Sequence, residues 1–254
     1  MVKLAEWRGK ELFRRYGVPL PKGRVVRSSE EARAAAETGE VPLPGVVKAQ
    51  VLAGGRGKGG AVRFADSPTE VEAAARAILG MEFKGEQVRE LLLEEKLIIG
   101  RELYVALALD RSLRLPTLMV SPRGGVEIES VEESEILRIP IHPFAGLTGY
   151  ERRRAVRFLG LPTGPAKAME GLLDALWRIF QLEDAELVEI NPLAVVGEGL
   201  FALDSKVIVE DDATFRHPGY AEIPDELTPL EEVAREKGIA FVQLDGNIGV
   251  IANG

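Results

Sequence analysis

Between Val46 and Phe64 the chain reads VVKAQVLAGGRGKGGAVRF, and this stretch constrains the fold more than any other. Val46, Val47 and Val51 on one side, and Ala61, Val62 and Phe64 on the other, favour short strands. Gly54, Gly55, Gly57, Gly59 and Gly60 between them let the backbone turn sharply and bring its N–H groups close to a bound anion. Lys48, Arg56 and Lys58 add positive charge. The pattern predicts a hairpin that folds over a polyphosphate; a merely flexible hairpin is the competing reading. Walker A does not fit, because Leu52 stands where its first glycine belongs and Gly59 follows the lysine. Gly55, Gly57 and Gly60 satisfy G-x-G-x-x-G, but a dinucleotide site needs a helix to open there. The residues after the glycines, Ala61–Asp66, are strand-like instead, and the next helix start is Ser67-Pro68.

With 254 residues the chain has room for one large domain or two modest ones, and 46% apolar residues supply a sizeable core. A net charge of -8 argues against general nucleic-acid binding. There is no cysteine, which excludes disulfides, thiolate catalysis and cysteine-held metal. No apolar run approaches a membrane span and the N-terminus lacks a signal-peptide core. A cytoplasmic protein with no membrane partner is expected.

Periodicity predicts a helix over Leu4–Tyr16, with Leu4, Trp7, Leu12 and Phe13 inward and the charged residues outward, stopped by Gly17. Strands are expected at Gly23–Val26, Leu91–Glu95, Arg101–Asp110, Leu115–Val120, Val126–Glu129 and Ile136–Pro140. Helices are expected after Ser28 and Ser67, and over Tyr150–Leu159, Ala166–Leu182 and Thr228–Lys237. Arg152, Arg153 and Arg154 read as a solvated helix face. Leu187–Leu193 and Leu200–Asp204 form a hairpin around Gly197-Glu198-Gly199, and Phe241–Leu244 is a final strand. No internal repeat or low-complexity tract is present.

That late hairpin holds a second constellation. Glu189 and Asn191, two apart on one strand, project to one face, and the return strand brings Asp204 near. Two carboxylates and an amide oxygen are hard donors, suited to Mg²⁺ that keeps substrate phosphates and water as its other ligands. Phosphate hairpin and metal hairpin together describe a nucleotide·Mg²⁺ site, with Lys48 neutralising phosphate. Glu94 and Glu95 are placed either to hydrogen-bond a base or ribose or as ordinary surface charge.

At this point the chain resembles the succinyl-CoA synthetase (succinate–CoA ligase) β-subunit family of ATP-grasp proteins. The matching pieces are Lys10–Pro19, Val47–Val51, Ala53–Lys58, Glu102–Tyr104, Asp110–Ser112, Gly124–Glu129, Glu189–Leu193, Phe215-Arg216 and Leu244–Gly249, in the family's order. The resemblance implies a mixed α/β (α+β) ATP-grasp fold over residues 1–235, with a nucleotide-covering subdomain within about 21–100. Residues 236–254 would then be the first strand of a further α/β domain. It also implies interconversion of succinyl-CoA, NDP and phosphate with succinate, CoA and NTP, as in the citric acid cycle. By the family pattern Lys48, Gly55, Arg56, Gly57, Glu94, Leu97 and Glu102 contact the nucleotide (ATP/ADP or GTP/GDP). Asn191 and Asp204 hold Mg²⁺, for which Mn²⁺ substitutes, and Asn253 contacts substrate.

The family's second α/β domain is not in this sequence, so the chain is expected to be a truncated form, inactive alone in the full reaction. Family members pass phosphate through a histidine of an α subunit in a heterodimer or heterotetramer. The two histidines here, His142 and His217, both precede proline and read as turn elements. An α partner would supply the phosphohistidine and the main CoA site. Competing readings are a malate–CoA or NDP-forming acetyl-CoA ligase, an ATP-grasp carboxylate–amine ligase, and a non-catalytic nucleotide sensor. Pro21 resembles adenine-using members.

Overall fold

In the computed structural model, which describes residues 1–57, 59–221, 228–244 and 246–252, the chain opens with strand β1 (Val2–Leu4) and helix α1 (Glu6–Arg15). Next come β2 (Gly23–Val26), α2 (Ser29–Glu37), β3 (Gly45–Ala49), β4 (Val62–Ala65), α3 (Pro68–Ile78), β5 (Glu82–Phe83), β6 (Glu86–Gln87) and β7 (Leu91–Glu95). After these run β8 (Arg101–Asp110), β9 (Leu115–Ser121), β10 (Leu137–Pro140), α4 (Gly149–Leu159) and α5 (Thr163–Leu182). The chain continues with β11 (Ala185–Val196), β12 (Gly199–Ala202), β13 (Lys206–Val209), α6 (Pro218–Ala221) and α7 (Pro229–Glu236).

Local chemistry sets several of these bounds. The Ser28 and Ser67 hydroxyls accept the backbone N–H groups of Glu31 and Glu70, satisfying a donor left free in the first turns of α2 and α3. Gly17 takes the left-handed conformation (φ +80°) that lets α1 end.

Two buried clusters organise the molecule. In the smaller one, β2, β7, β3 and β4 form an antiparallel sheet with α2 and α3 on one face. Strand alternation sorts its residues. Val47, Ala49, Leu91 and Leu93 enter the core beneath the helices, while Lys48, Leu92 and Glu94 lie on the opposite face. Lys48 pairs with Leu92 across the strands, so Lys48 and Glu94 are diagonal neighbours.

The larger sheet runs β1-β13-β11-β8-β9-β10, with β12 beside the distal half of β11, and all its pairs are antiparallel. Its core holds Leu103, Val105 and Leu107 of β8, Val188 and Ile190 of β11, and Leu172, Leu173 and Leu176 of α5. Glu102, Tyr104 and Glu189 therefore fall on the face away from that core.

Several expectations need correction. The first helix starts at Glu6, because Val2–Leu4 pairs with Val207–Val209 as an edge strand. Its buried side carries Glu6 and Lys10 as well as Leu12 and Phe13, so the charged residues are not all outward. Val126–Glu129 forms no strand: Ile128–Ser130 is a 3-10 turn. The return strand after Gly199 ends at Ala202, leaving Leu203 and Asp204 in the corner before β13. Residues 241–244 are exposed and pair with no strand among the described residues. Lys58, Asp245 and Asn253 lie outside the described residues.

Candidate functional site

Where the two clusters meet, six charged side chains converge. Lys48 extends from the helix-free face of the small sheet. Its Nζ lies 2.7 Å from Glu94 Oε2 and 3.1 Å from Glu6 Oε1, and donates to the Leu203 carbonyl at 2.6 Å. Lys10, one turn after Glu6 on α1, donates to both Glu94 oxygens at 2.6 Å and to the same Leu203 carbonyl at 2.9 Å. It also pairs with Glu6 at 2.9 Å. From the glycine segment Arg56 reaches back, one nitrogen 2.5 Å from Glu6 Oε2 and the other 2.9 Å from each Asp204 oxygen. Three carboxylates thus face three cations.

Burial differs sharply within this set. The Glu6 and Glu94 side chains are 1% and 3% exposed, whereas that of Asp204 is 38% exposed. Burial alone would raise the Glu6 carboxyl, but Lys10, Lys48 and Arg56 outweigh it and hold Glu6 well below the ordinary carboxylate range. Burial opposes charge on Lys48 and Arg56, yet the surrounding carboxylates raise both, so both stay protonated at neutral pH. Burial and then neighbouring Glu6 push Asp204 up, with Arg56 and Lys48 pulling against them. Asp204 is thus the most accessible of the three acids.

The glycine segment is tied down locally. The Glu86 carboxylate accepts the N–H groups of Leu52 and Ala53 at 2.9 and 2.8 Å. Lys84 donates to the Gly54 carbonyl at 2.7 Å. Gly55 takes φ +81°, a conformation that needs glycine. The short β5–β6 hairpin therefore acts as the support of the loop.

A second patch adjoins the first. Asn191 Oδ1 accepts from Gly125 N at 2.8 Å and its Nδ2 donates to the Val126 carbonyl at 2.9 Å. Glu102 belongs to the same patch, since its carbonyl accepts Gly124 N at 3.1 Å. Glu189 instead accepts the Tyr104 hydroxyl at 3.1 Å, and burial raises its carboxyl. The pairing of β11 with β8 shifts register between Ile190 and Leu193. That irregularity interrupts the alternation on which the expected common face of Glu189 and Asn191 rested. Leu97 is half-buried in the connector after β7. Glu94 is buried, which removes the surface-charge reading for it, whereas Glu95 accepts the Lys22 N–H at 2.8 Å.

Gly124 is expected to tolerate no side chain. A Cβ there would lie 2.3 Å from the Leu103 carbonyl oxygen and 2.6 Å from its nitrogen, backbone atoms that cannot swing away. Gly124→Ala should lower stability by about 1–3 kcal/mol in urea unfolding. The loss arises because the 124–126 loop must lift from Asn191; an unchanged midpoint would contradict that packing.

Neither histidine touches the cluster. His217 Nε2 lies 2.7 Å from Asp184 Oδ2, beside a separate cleft of about 720 Å³, and His142 Nδ1 accepts from Phe144 N.

Residues 3–195 match the ATP-grasp domain family. Over 261 residues the chain is 42% identical to the succinate–CoA ligase [ADP-forming] β subunit of Desulfurococcus amylolyticus, spanning all of this chain and 68% of that one. The chain belongs to the succinate–CoA ligase β-subunit family. Its similarity to the GDP-forming β subunit of Thermus thermophilus is equal in kind, at 43% identity over 259 residues and 68% of that protein. The dinucleotide-forming acetyl-coenzyme A synthetase 1 of Ca. Korarchaeum cryptofilum, solved with coenzyme A and Ca-AMPCP, shares the fold. Its TM-score is 0.68 at 23% identity, over 82% of this chain and 93% of that one.

In this member of the succinate–CoA ligase β-subunit family, sequence reasoning missed Glu6 and Lys10. Their signal was present: an acid and a lysine four apart in the first turns of an otherwise amphipathic helix. Such a pair normally marks a solvated face, and only the tertiary contact with Glu94 shows otherwise.

Proposed function

We propose that this chain is the nucleotide-binding β part of a cytoplasmic succinate–CoA ligase. The reaction interconverts succinyl-CoA, NDP and phosphate with succinate, CoA and NTP in the citric acid cycle. The carrying observation is the charge-balanced cluster of Glu6, Lys10, Lys48, Arg56, Glu94 and Asp204 beneath a glycine loop, in a chain of this family. Lys48 and Arg56 bind phosphate oxygens. The Gly55–Gly57 backbone covers the phosphates, while Glu94, Leu97 and Glu102 border the nucleotide. Asn253 is assigned to substrate on family pattern alone.

Mg²⁺ fits the residues present. Asp204 already holds a cation through both oxygens, in the form of the Arg56 guanidinium, and its side chain is the most accessible of the three acids. Asn191 Oδ1 has one N–H donor and retains a further lone pair. These are hard donors of the kind Mg²⁺ takes. Asp204 and Asn191 would hold the ion, which when bound offsets charge on the phosphates. Lys48 stays protonated and orients the phosphates, and the glycine loop excludes water from them.

The cluster contains no nucleophile, and the transferable phosphoryl group comes from a phosphohistidine on an α partner. This separates the reading from an ATP-grasp carboxylate–amine ligase, which forms its acyl phosphate without a histidine from another subunit. The test is transfer of label from a [³²P]phosphohistidine α subunit to ADP or GDP with Mg²⁺ in the presence of this chain. Labelled NTP with one base is expected. Label that stays on the α subunit with both bases would sink the proposal.

A further inference from the structure

We propose that Glu6 is the positioning residue of this site: the common acceptor on α1 that fixes Lys48 and Arg56 without touching the nucleotide. The proposal rests on the phosphate-facing roles of Lys48 and Arg56 given above, and adds what aims them. Both cations belong to the small sheet and its glycine segment, whereas Glu6 belongs to the helix packed on the large sheet. Their geometry is therefore set by a partner from the other half of the molecule.

Glu6 is itself tightly held. Its carbonyl accepts the Ser205 hydroxyl at 2.8 Å, next in sequence to Asp204. Gly9 makes that approach possible, because a Cβ there would lie 2.4 Å from Ser205 Oγ. Trp7 N donates to Gln50 Oε1 at 2.9 Å, and Gln50 Nε2 donates to Glu6 Oε2 at 3.2 Å. The Glu6 carboxylate is thus clamped at fixed separation from Asp204, and Arg56 bridges the two. When Asp204 turns to a metal ion, Glu6 is the acceptor that keeps Arg56 over the phosphates. When Glu6 is lost, the Arg56 guanidinium keeps Asp204 and the Ala49 carbonyl among the described residues, while the Arg56 backbone carbonyl still accepts Ala61 N at 3.1 Å.

The test uses the full chain and trypsin, whose cut at Arg56–Gly57 reports whether Arg56 is held. Glu6→Gln keeps the size of the side chain and removes its charge. In the absence of nucleotide, cleavage after Arg56 is expected to speed up at least tenfold, while cleavage after Arg111 and Arg153 in the large half changes less than twofold. A merely structural role would speed all three cuts together, and that result, or an unchanged Arg56 cut, overturns the proposal. Glu6→Asp, which keeps the charge but retracts it, is expected to fall between parent and Glu6→Gln; it carries the same test should Glu6→Gln fail to fold. In a parallel arm, Glu6→Gln is expected to weaken Mg²⁺·ADP or Mg²⁺·GDP binding at least tenfold in the parent and by a smaller factor in an Arg56→Met background, where only its hold on Lys48 is left to lose. Equal losses in both backgrounds overturn the proposal. Selective Arg56 cleavage with no nucleotide bound even by the parent would leave the positioning role standing and remove the nucleotide reading instead.

Discussion

Lys10→Met is expected to destabilise the folded chain by about 3–5 kcal/mol, the range for removing one partner of a buried ion pair. Exposed pairs are worth about 0–1 kcal/mol, so burial decides the magnitude. Lys10 is 4% exposed on its side chain, and its ammonium serves Glu6, Glu94 and the Leu203 carbonyl at once. Methionine fills much of the same volume and supplies no donor. Glu6, Glu94 and Asp204 would then face only Lys48 and Arg56, leaving one carboxylate charge uncompensated in a cluster where two of the three acids are buried. The measurement is urea unfolding, read as a lower midpoint at unchanged slope. A loss below about 1 kcal/mol would mean that the cluster is solvated and that Lys10 is an ordinary surface lysine.

Lys48→Ala is expected to weaken Mg²⁺·nucleotide binding by about 2–4 kcal/mol, on the order of 30- to 1000-fold. The lysine is desolvated before the ligand arrives, so its ammonium is already stripped of water and already aimed by Glu6 and Glu94. A charge-assisted contact to phosphate from such a preorganised group costs little reorganisation. The variant should stay folded at reduced stability, since Lys48 also serves Glu6, Glu94 and the Leu203 carbonyl, while Lys10 and Arg56 still serve Glu6 and Lys10 still serves Glu94. Calorimetric titration of parent and variant checks both halves. Affinity within threefold of the parent would take Lys48 out of the phosphate role.

Much of the fold was legible because local signals were strong. The strand Arg101–Asp110 appears with the bounds its apolar pattern suggested, and the strands either side of the glycine segment pair as a hairpin. Serine caps marked the starts of α2 and α3. Illegible elements were those made by pairing rather than by pattern. The edge strand Val2–Leu4 and its partner Lys206–Val209 are three and four residues long, too short to show a period. The hairpin Glu82–Gln87 has no apolar alternation, yet it places Glu86 under the glycine loop. Phe241–Leu244 had the composition of a strand, but finds no neighbouring strand among the described residues to complete its hydrogen bonds.

The site divides in the same way. Lys48, Arg56 and Asp204 could be named from residue type and spacing and Glu94 from the family resemblance, and the structure brings these four together. Asn191 and Glu102 sit in an adjoining patch held by the 124–126 loop. Glu6 and Lys10 could not be named, because helical periodicity ranks charged residues as outward and says nothing of a carboxylate arriving from residue 94. The Arg56–Asp204 bridge was equally out of reach, since it spans 148 residues of sequence.

The most direct test of the nucleotide·Mg²⁺ reading is thermal melting of the parent chain and of Asp204→Asn with ADP or GDP, each with Mg²⁺ or with a chelator. At about a hundred times the dissociation constant a ligand stabilises the fold by roughly 2.7 kcal/mol, a shift of a few degrees for a chain of this length. The parent is expected to show that shift with one base, larger with Mg²⁺ than without. Asp204→Asn is expected to keep the metal-free part of the shift and lose the metal-dependent part. An Mg²⁺-dependent gain that survives intact in Asp204→Asn would contradict the assignment of the metal to this corner of the chain.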